Sequence, residues 1–338
     1  MKTRKVSSRL GIISMGLVLA LLPASAWAAQ TFCVFDPSGA NGDAYAAMKE
    51  LQTAAAGWGV ELELKPYTNE KTAADDFKAK KCDAVFLTGT RARDLVKFTS
   101  TLEAMGALSS YDMLEDAIKL LAKEKAAKMV KSGDYETAAI IPMGAVYLFV
   151  RDKSIKTIES LAGKSISTLD YDDASKAMVK KAGASATAAD VSTFAGMFNN
   201  GSVDACYAPA TVFKPLELEK GLKKGGGIVR YPLAMLTGQV IIRSASFGED
   251  FGQKAREWSQ SNFKTMVKLA SKAEKDIPSS YWIDVSDEDK ARYDQLFLEV
   301  RVSLRDNEKV YDKQMLTLLR RLRCDADKNR AECAEKLE

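Results

Sequence analysis

The sequence predicts an α/β fold of two doubly wound lobes joined by crossing hinge strands. Short apolar segments alternate with amphipathic ones over residues 31–97, which is the order of strands and helices in a parallel sheet covered on both faces. The same alternation returns over residues 155–209. Two further apolar segments, residues 138–150 and 235–243, stand where strands would cross from one lobe to the other and back.

The first lobe starts with a continuous apolar segment, Thr31 to Phe35, of the kind found in strands buried on both faces. A turn-rich loop follows over residues 36–43, and a helix begins just after it. The predicted elements after this loop are a helix at 44–55, a strand at 60–64, a helix at 70–81, a strand at 83–87, a helix at 91–97 and helices around 112–131.

The second lobe is predicted from its turn residues. A turn ending at Gly163 leads into a strand over residues 165–169, and Gly183 closes the next helix. The remaining elements are an amphipathic helix at 192–199, which stops at Asn200-Gly201, and an apolar strand at 203–207, which is ended by Pro209.

The chain is predicted to finish with helices over residues 252–275 and 286–323. Ser286, followed by three acidic residues, is a good N-cap with a first turn that matches the helix dipole. The boundaries expected from these elements are 29–145 and 240–338 for lobe I, and 146–239 for lobe II.

Residues 1–28 have the pattern of a secretory signal peptide. Four basic residues precede an apolar run over residues 11–22, and the small-residue site Ala26-Trp27-Ala28 predicts cleavage before Ala29. The run is shorter than the roughly 20 residues that a spanning helix needs. We therefore expect an exported, periplasmic protein that does not insert into the membrane after cleavage.

The charge balance argues against nucleic-acid binding. The formal net charge is +4, and residues 1–28 contain four basic and no acidic residues. Because these four account for the whole excess, the rest of the chain carries equal numbers of basic and acidic residues. No basic field remains that would attract a nucleic acid.

Five cysteines in an oxidising compartment predict two disulfides and one free thiol. Cys324 and Cys333 flank a short charged loop and are expected to pair. Cys33 lies in the first strand and Cys82 opens another, so these two pair if the strands are neighbours. Cys206 is then free and buried, and a bridge from Cys82 to Cys206 would contradict the two-lobe fold.

The composition argues against an enzyme. The chain contains no histidine, which excludes Ser-His-Asp and Cys-His catalysis and every histidine-ligated metal site. Neither G-x-S-x-G nor a P-loop occurs. Paired-carboxylate chemistry stays open, although no pair is marked. We expect no catalysis, no metal and no organic cofactor.

Ligand contacts are expected at the carboxyl ends of the strands, where open α/β sheets bind small molecules. The alternative is that Asp43 and Thr90 cap their helices and that the loop glycines form turns, and for Asp43 we expect the capping role. Tyr207 is the strongest candidate, because a tyrosine at a strand end offers both a ring and a hydroxyl. The candidates are Asp36, Ser38, Gly39, Thr88, Thr90 and Arg91 in lobe I, Thr168, Asp170, Tyr171 and Tyr207 in lobe II, and Tyr147 and Gln239 in the crossing strands.

Residues 155–209 resemble the second lobe of the DctP-like solute receptors of TRAP transporters. Those receptors have a "DLxGxKIR" turn and strand, an "LGA" turn and a "GxVDG…P" corner in this order, and here the corresponding segments are ESLAGKSIS, KKAGAS and NGSVDACYAP. The resemblance implies a periplasmic-binding-protein fold of the type II-like class, and a binding protein rather than a catalyst.

The chain departs from these receptors at two positions. They usually carry an arginine where this chain has Ser167, which clamps the ligand carboxylate, and often an asparagine where it has Ala208. Arg91, Arg93 and Arg151 are candidates for a replacement charge. The acidic residues expected at the cleft favour a neutral, amine-bearing or largely apolar ligand, and they are Asp36, Asp170, Asp172 and Asp173.

Over its whole length the chain resembles the AdeT-type solute-binding proteins. They share its "F…DPSGxxGD" loop at residues 35–43, its DAVFLTGTRAR segment at 83–93 and its GSVDACYAP corner. The name of that family links it to RND-type efflux, which would imply a hydrophobic or lipid-like cargo.

Two functions follow from these patterns. The first is a periplasmic binding protein that closes two lobes over a small molecule and delivers it to inner-membrane transporter subunits. The alternative is a periplasmic adaptor of an efflux or lipid-export complex, which binds protein partners or hydrophobic cargo. The adaptor needs an exposed apolar patch, and the candidate is a helical stripe of Tyr293, Leu296, Phe297, Val300 and Leu304, whose other role would be packing against lobe I.

Overall fold

The computed structural model describes residues 29–338, so the predicted signal peptide lies outside the described part of the chain. Within this part, one mixed sheet contains ten strands and is flanked by helices. The strands are β1 (Gln30–Phe35), β2 (Leu62–Tyr67), β3 (Ala84–Thr88), β4 (Lys131–Ser132), β5 (Tyr135–Val150), β6 (Ser165–Leu169), β7 (Ser185–Ala189), β8 (Ala205–Pro209), β9 (Gly227–Arg243) and β10 (Trp282–Ile283).

The strand order is β2-β1-β3-β9-β5-β8-β6-β7, with β10 beside β9 and β4 beside β5. In lobe I, β1 pairs in parallel with β2 and β3, and in lobe II β6 pairs in parallel with β7 and β8. The long strands β5 and β9 run antiparallel through both lobes, from the pair Tyr135–Arg243 to the pair Val150–Gly227. The predicted fold class, two doubly wound lobes joined by crossing strands, is confirmed.

Twelve helices lie in the described part of the chain, and several begin at side-chain caps. Asn69 accepts a hydrogen bond from the backbone N of Thr72 at 2.9 Å, and Ser286 accepts one from Asp289 at 3.1 Å, as predicted for that position. The helices are α1 (Asp43–Gly57), α2 (Glu70–Lys78), α3 (Gly89–Ala92), α4 (Lys97–Ser100), α5 (Tyr111–Leu121), α6 (Asp173–Lys181), α7 (Phe194–Asn200), α8 (Glu219–Leu222), α9 (Phe251–Asp276), α10 (Asp287–Asp306), α11 (Lys313–Ala326) and α12 (Ala331–Glu335).

The single C-terminal helix predicted over residues 286–323 is wrong, because the segment forms two helices. α10 ends at Asp306, and Lys309 then adopts a left-handed conformation with φ of 56°. Asp312 starts α11 by accepting hydrogen bonds from the backbone N of Gln314 and Met315. A left-handed residue and a new N-cap within six positions interrupt the helix.

Several other elements differ from the prediction. The helices predicted around 112–131 are too long, since α5 ends at Leu121 and Lys131–Ser132 forms strand β4. The helix predicted over 91–97 is broken, since α3 ends at Ala92 and α4 begins at Lys97. Strand β7 has no counterpart in the prediction, because its Ser-Ala-Thr-Ala-Ala sequence has none of the large or branched side chains that indicate a strand. It completes the edge of lobe II by pairing with β6 in register from Ser165 to Leu169.

The apolar stripe on α10 is buried. Its side chains pack in the largest hydrophobic core, with Tyr231 stacked on Phe297 at 6.3 Å between ring centroids. α10 contacts both lobes, because the Tyr293 hydroxyl donates to the backbone O of Lys156 and Arg301 donates to that of Met105.

The lobe boundaries stay a prediction. In residues 29–338 no helix combines the length and the apolar character that crossing a membrane requires.

Both predicted disulfides are present. Cys33 of β1 bonds to Cys82, which lies two residues before the start of β3, and their Cα atoms are 6.0 Å apart. Cys324 of α11 bonds to Cys333 of α12. Cys206 is free and buried in the core of lobe II, and burial raises the pKa of its thiol. The thiol is therefore unreactive in the folded protein.

The C-terminal helices are joined by a buried charge cluster of Arg301, Arg323, Glu332 and Glu338. Arg323 donates to both carboxylate oxygens of Glu332 at 2.8 Å, and Arg301 donates to Glu332 at 3.1 Å and to Glu338 at 2.5 Å. The two arginines also donate to the backbone O of Met105 and Ala107. The cluster therefore fixes the loop at residues 104–108.

Acid should weaken this cluster. Although burial opposes ionisation, hydrogen bonds and charge from Arg323 and Arg301 lower the pKa of Glu332 to about 2. A folded-state pKa below the ordinary value, about 4.3, means that the stabilisation is complete above that value and is lost as the pH falls toward 2. Urea unfolding between pH 5 and about 2.5 should show this loss. In Glu332→Gln the free energy of unfolding should depend less steeply on pH than in wild type. An unchanged dependence would contradict the assignment of this acid-induced loss to Glu332.

Candidate functional site

A cleft between the lobes lies where two pairs of parallel strands end, β1 with β3 in lobe I and β6 with β8 in lobe II. It encloses a cavity of about 170 Å³. The last residue of each strand lines it: Phe35 of β1, Thr88 of β3, Leu169 of β6 and Pro209 of β8. Because open α/β sheets bind ligands at the carboxyl ends of their strands, this cavity is the candidate binding site.

Most of the side chains that line the cavity are apolar. They come from both lobes and from the crossing strands, and they include Met105, Met143, Val146, Met178, Phe194 and Leu233. A wall of this kind stabilises a ligand by burying its hydrocarbon surface, while a few polar groups fix its orientation.

Glu103 is a buried carboxylate at the lobe I side of the cavity. It accepts hydrogen bonds from the backbone N of Gly89 at 3.0 Å, from the Thr90 hydroxyl at 2.7 Å and from the backbone N and hydroxyl of Thr237 at 2.8 and 2.7 Å. A side chain at Gly89 would lie 2.4 Å from this carboxylate, so only glycine allows the contact. Burial raises the pKa of Glu103.

A buried ion pair joins the lobes across the cavity. Arg93, directly after α3, is 3.2 Å from the carboxylate of Asp172, which precedes α6. Asp172 also accepts a hydrogen bond from the Ser175 hydroxyl. Because the charge of Arg93 is matched by Asp172, the arginine offers no unpaired positive charge to an anionic ligand.

Tyr171 makes a second contact between the lobes. Its hydroxyl donates to Glu70 of α2 at 2.8 Å, and the guanidinium carbon of Arg91 lies 3.2 Å from its ring centroid. Glu70 also accepts hydrogen bonds from the backbone N and the hydroxyl of Thr88. Burial and the charge of Glu70 raise the pKa of Tyr171, so the hydroxyl stays protonated and donates.

Three residues that line the cavity have a buried polar atom without a hydrogen-bond partner in the described residues. These atoms are the hydroxyl oxygens of Ser167 and Tyr311 and the Nε of Arg93. Buried polar groups are normally paired, so unpaired ones that line a cavity indicate a missing partner such as a ligand.

Four of the candidate ligand residues line the cavity: Thr88, Thr90, Tyr171 and Tyr207. The Tyr207 hydroxyl accepts a hydrogen bond from the backbone N of Leu169 at 3.2 Å. Arg91 contributes indirectly by stacking on Tyr171.

The other candidates lie elsewhere. Asp36 caps α1 and, with Ser38, lines a second cavity, while Gly39 lies in the adjoining turn. Tyr147 packs against Trp282 at 5.0 Å between ring centroids, and Gln239 bonds to Thr99 in the core. Thr168 is buried without lining the cavity, Asp170 is exposed, and Arg151 donates to the backbone O of Phe198.

Glu103, Ser175 and Met143 line the cavity but were not among the candidates. Glu103 is the single charged residue in the segment TSTLEAMGALS. An acid isolated in this way is a sequence signal for a buried, hydrogen-bonded carboxylate. Arg93 and Asp172 were noted only as sources of charge, and their pairing depends on how the lobes meet.

Comparison with known proteins points to solute-binding proteins. A family model described as "Solute-binding protein AdeT 1/2" matches residues 51–338. "Probable solute-binding protein AdeT1" of Acinetobacter baumannii is 40% identical over 301 residues, which are 89% of the chain and 99% of that protein. "Probable solute-binding protein AdeT2" of the same organism is 28% identical over 233 residues, covering 68% of the chain and 96% of that protein.

Solved structures of TRAP periplasmic solute-binding proteins share the fold. The protein from Desulfovibrio salexigens with bound orotic acid has a TM-score of 0.72 and 12% identity, covering 88% of the chain and 98% of that structure. The protein from Rhodoferax ferrireducens with bound malonate has a TM-score of 0.70 and 14% identity, covering 88% and 100%. At these identities the likeness concerns the fold alone.

Proposed function

The chain belongs to the AdeT 1/2 family of solute-binding proteins, and on that premise we propose that it captures a small molecule in the cleft by closure of its two lobes. The observation that carries the proposal is the cavity at the four strand ends, lined by the unpartnered Ser167 hydroxyl and Arg93 Nε. The protein acts in the periplasm after signal cleavage, without catalysis, and delivers its ligand to inner-membrane transporter subunits.

Closure is supported by the contacts across the cleft. The Arg93–Asp172 and Tyr171–Glu70 pairs form only when the lobes are together, and a ligand that touches both lobes adds to them. The crossing strands β5 and β9 connect the lobes, and their register shifts between Pro142 and Gly144. Such an irregularity is a natural place for bending, because the ladder of hydrogen bonds is interrupted there.

The adaptor is the less well supported alternative. It needed an exposed apolar stripe on α10, and all five side chains of that stripe are buried, at 7% exposed or less. Among the described residues the exposed large apolar side chains are Met129, Leu269 and Leu337. These do not form an adaptor surface on α10.

Native mass spectrometry of protein purified from the periplasm of its host tests ligand capture. Val191 lines the cavity and packs against the core of lobe I, so Val191→Trp should fill the cleft and hold the lobes apart. Ala188 is exposed on β7, and Ala188→Trp is the matched control. We expect a releasable small molecule on wild type and Ala188→Trp, and loss of it in Val191→Trp. Equal occupancy in Val191→Trp would place the molecule elsewhere, and empty wild type that copurifies with membrane subunits would favour the adaptor.

Removal of one hydroxyl tests closure. Tyr171→Phe loses the hydrogen bond to Glu70, which contributes about 1 kcal/mol or roughly fivefold in the ratio of closed to open protein. X-ray scattering should therefore give a larger radius of gyration than wild type. Tyr231→Phe is the control. It loses a comparable hydrogen bond to Asp294, away from the cleft, and should leave the radius of gyration unchanged. The same radius in both variants would argue against a closing role for Tyr171.

A further inference from the structure

A second cavity of about 140 Å³ adjoins the cleft. The two cavities have five lining residues in common, which therefore form the wall between them: Pro37, Met143, Thr211, Val212 and Leu216. The second cavity is also lined by Leu269 of α9, which is 51% exposed. The cleft and the second cavity together lead from the meeting point of the lobes to the protein surface.

The wall is made of side chains that can move. Met143 is only half-buried, and its unbranched thioether side chain adapts readily to a different filling of space. Its backbone is held, because the Thr211 hydroxyl donates to the backbone O of Met143 at 3.2 Å. Gly144, with φ of 121°, provides the unusual backbone angle at this point of β5. A change of the Met143 rotamer would therefore open space in the wall between the two cavities.

The second cavity has an apolar interior. Phe86, Ile141 and Met266 line it. Its buried acid, Asp36, is fully engaged, since it accepts hydrogen bonds from the backbone N of Ser38, Ala44 and Tyr45 at 2.8, 2.9 and 3.1 Å. The other acid in the lining, Asp43, is exposed and would repel an anionic end of a ligand, whereas a hydrocarbon chain would bury its surface against the apolar walls.

The cleft itself suits a single uncharged polar group. The hydroxyls of Ser167 and Tyr311 and the Nε of Arg93 are available for hydrogen bonds. The positive charge of Arg93 is already balanced by Asp172, and the carboxylate of Glu103 lies on the same side of the cavity. An anionic end would have to displace Asp172 from Arg93, which leaves a buried carboxylate unpaired.

We propose that the ligand of this cleft is a neutral, elongated amphiphile. Its polar end bonds to Ser167 and Arg93, and its hydrocarbon chain passes Met143 into the second cavity toward Leu269. This inference rests on the proposed function and specifies the class of molecule that the cleft takes.

Calorimetric titration with straight-chain alcohols tests the inference. Each buried methylene should strengthen binding about fourfold, so decan-1-ol, with four more methylenes, should bind wild type roughly 250-fold more tightly than hexan-1-ol. Ala47 of α1 lines only the second cavity, and Ala46 is an exposed neighbour on the same helix. Ala47→Phe should weaken the binding of decan-1-ol at least about tenfold, because its ring fills the second cavity. The affinity for hexan-1-ol should stay within about twofold of the wild-type value. Ala46→Phe should change neither of these affinities. Decanoate, which has a charged end, should bind wild type at least about tenfold more weakly than decan-1-ol.

Other results would overturn the inference. Equal affinities for hexan-1-ol and decan-1-ol, or equal effects of Ala47→Phe and Ala46→Phe, would mean that no chain enters the second cavity. Tighter binding of decanoate would exclude a neutral polar end. If malonate binds and no alcohol does, capture in the cleft stands and the amphiphile is wrong. If no tested compound binds and Tyr171→Phe leaves the radius of gyration unchanged, both the inference and the proposed function fail.

Discussion

Arg323→Met should destabilise the protein by about 3–5 kcal/mol, the usual cost of removing one partner from a buried ion pair. Arg323 is fully buried and donates to Glu332, to Glu338 and to the backbone O of Ala107. The substitution leaves both carboxylates buried with fewer cations and leaves a backbone oxygen without its donor. Urea unfolding at neutral pH measures the loss.

A variant on the same helix separates this effect from a general loss of charge. Arg321 is exposed on α11, and Arg321→Met should change stability by no more than about 0.5 kcal/mol. The double variant Arg323→Met with Glu332→Gln should lose less than the sum of its single changes, because the uncompensated carboxylate is gone. Additive losses would contradict the assignment of Arg323 and Glu332 to one coupled cluster.

Loss of the Cys33–Cys82 disulfide is the second large effect. The two cysteines are 49 positions apart, and the constraint that such a bridge places on the unfolded chain is worth about 4 kcal/mol. Both residues are buried, so the pair is best replaced by alanine, which adds no polar group to the core. We expect Cys33→Ala with Cys82→Ala to lower the free energy of unfolding by about that amount.

The second disulfide is the natural comparison. Cys324 and Cys333 are only nine positions apart, so the same model gives about 2.5 kcal/mol for their removal. Denaturant unfolding of the two double variants should therefore rank the Cys33–Cys82 bridge first. The reverse order would show that local packing, rather than loop length, determines what each bridge contributes.

The alternation of apolar and amphipathic segments was sufficient to predict the lobes, the crossing strands and both disulfides, because buried strands and cysteine chemistry are local signals. β7 was missed, since a strand of small residues is stabilised by its neighbour β6 and by nothing in its own pattern. The helix over 286–323 was predicted too long, because the left-handed turn at Lys309 has no glycine to mark it.

The candidate site was predicted in outline but not in detail. Strand ends identified Thr88 and Tyr207, both of which line the cavity. The pairing of Arg93 with Asp172 links residues 79 positions apart and depends on the approach of the lobes, which no local pattern encodes. Asp36 was a candidate because it follows a strand, but its carboxylate is fully used in capping α1.

The place of β9 in the sheet has a consequence for the order of folding. β9 lies between β3 and β5, so the sheet of lobe I is incomplete until a strand more than a hundred residues further along the chain arrives. The pairs within residues 146–209 of lobe II are closer in sequence and cost less loop entropy to form. We therefore expect lobe II to acquire its strand pairing early, and the insertion of β9 to be the late step that unites the two lobes.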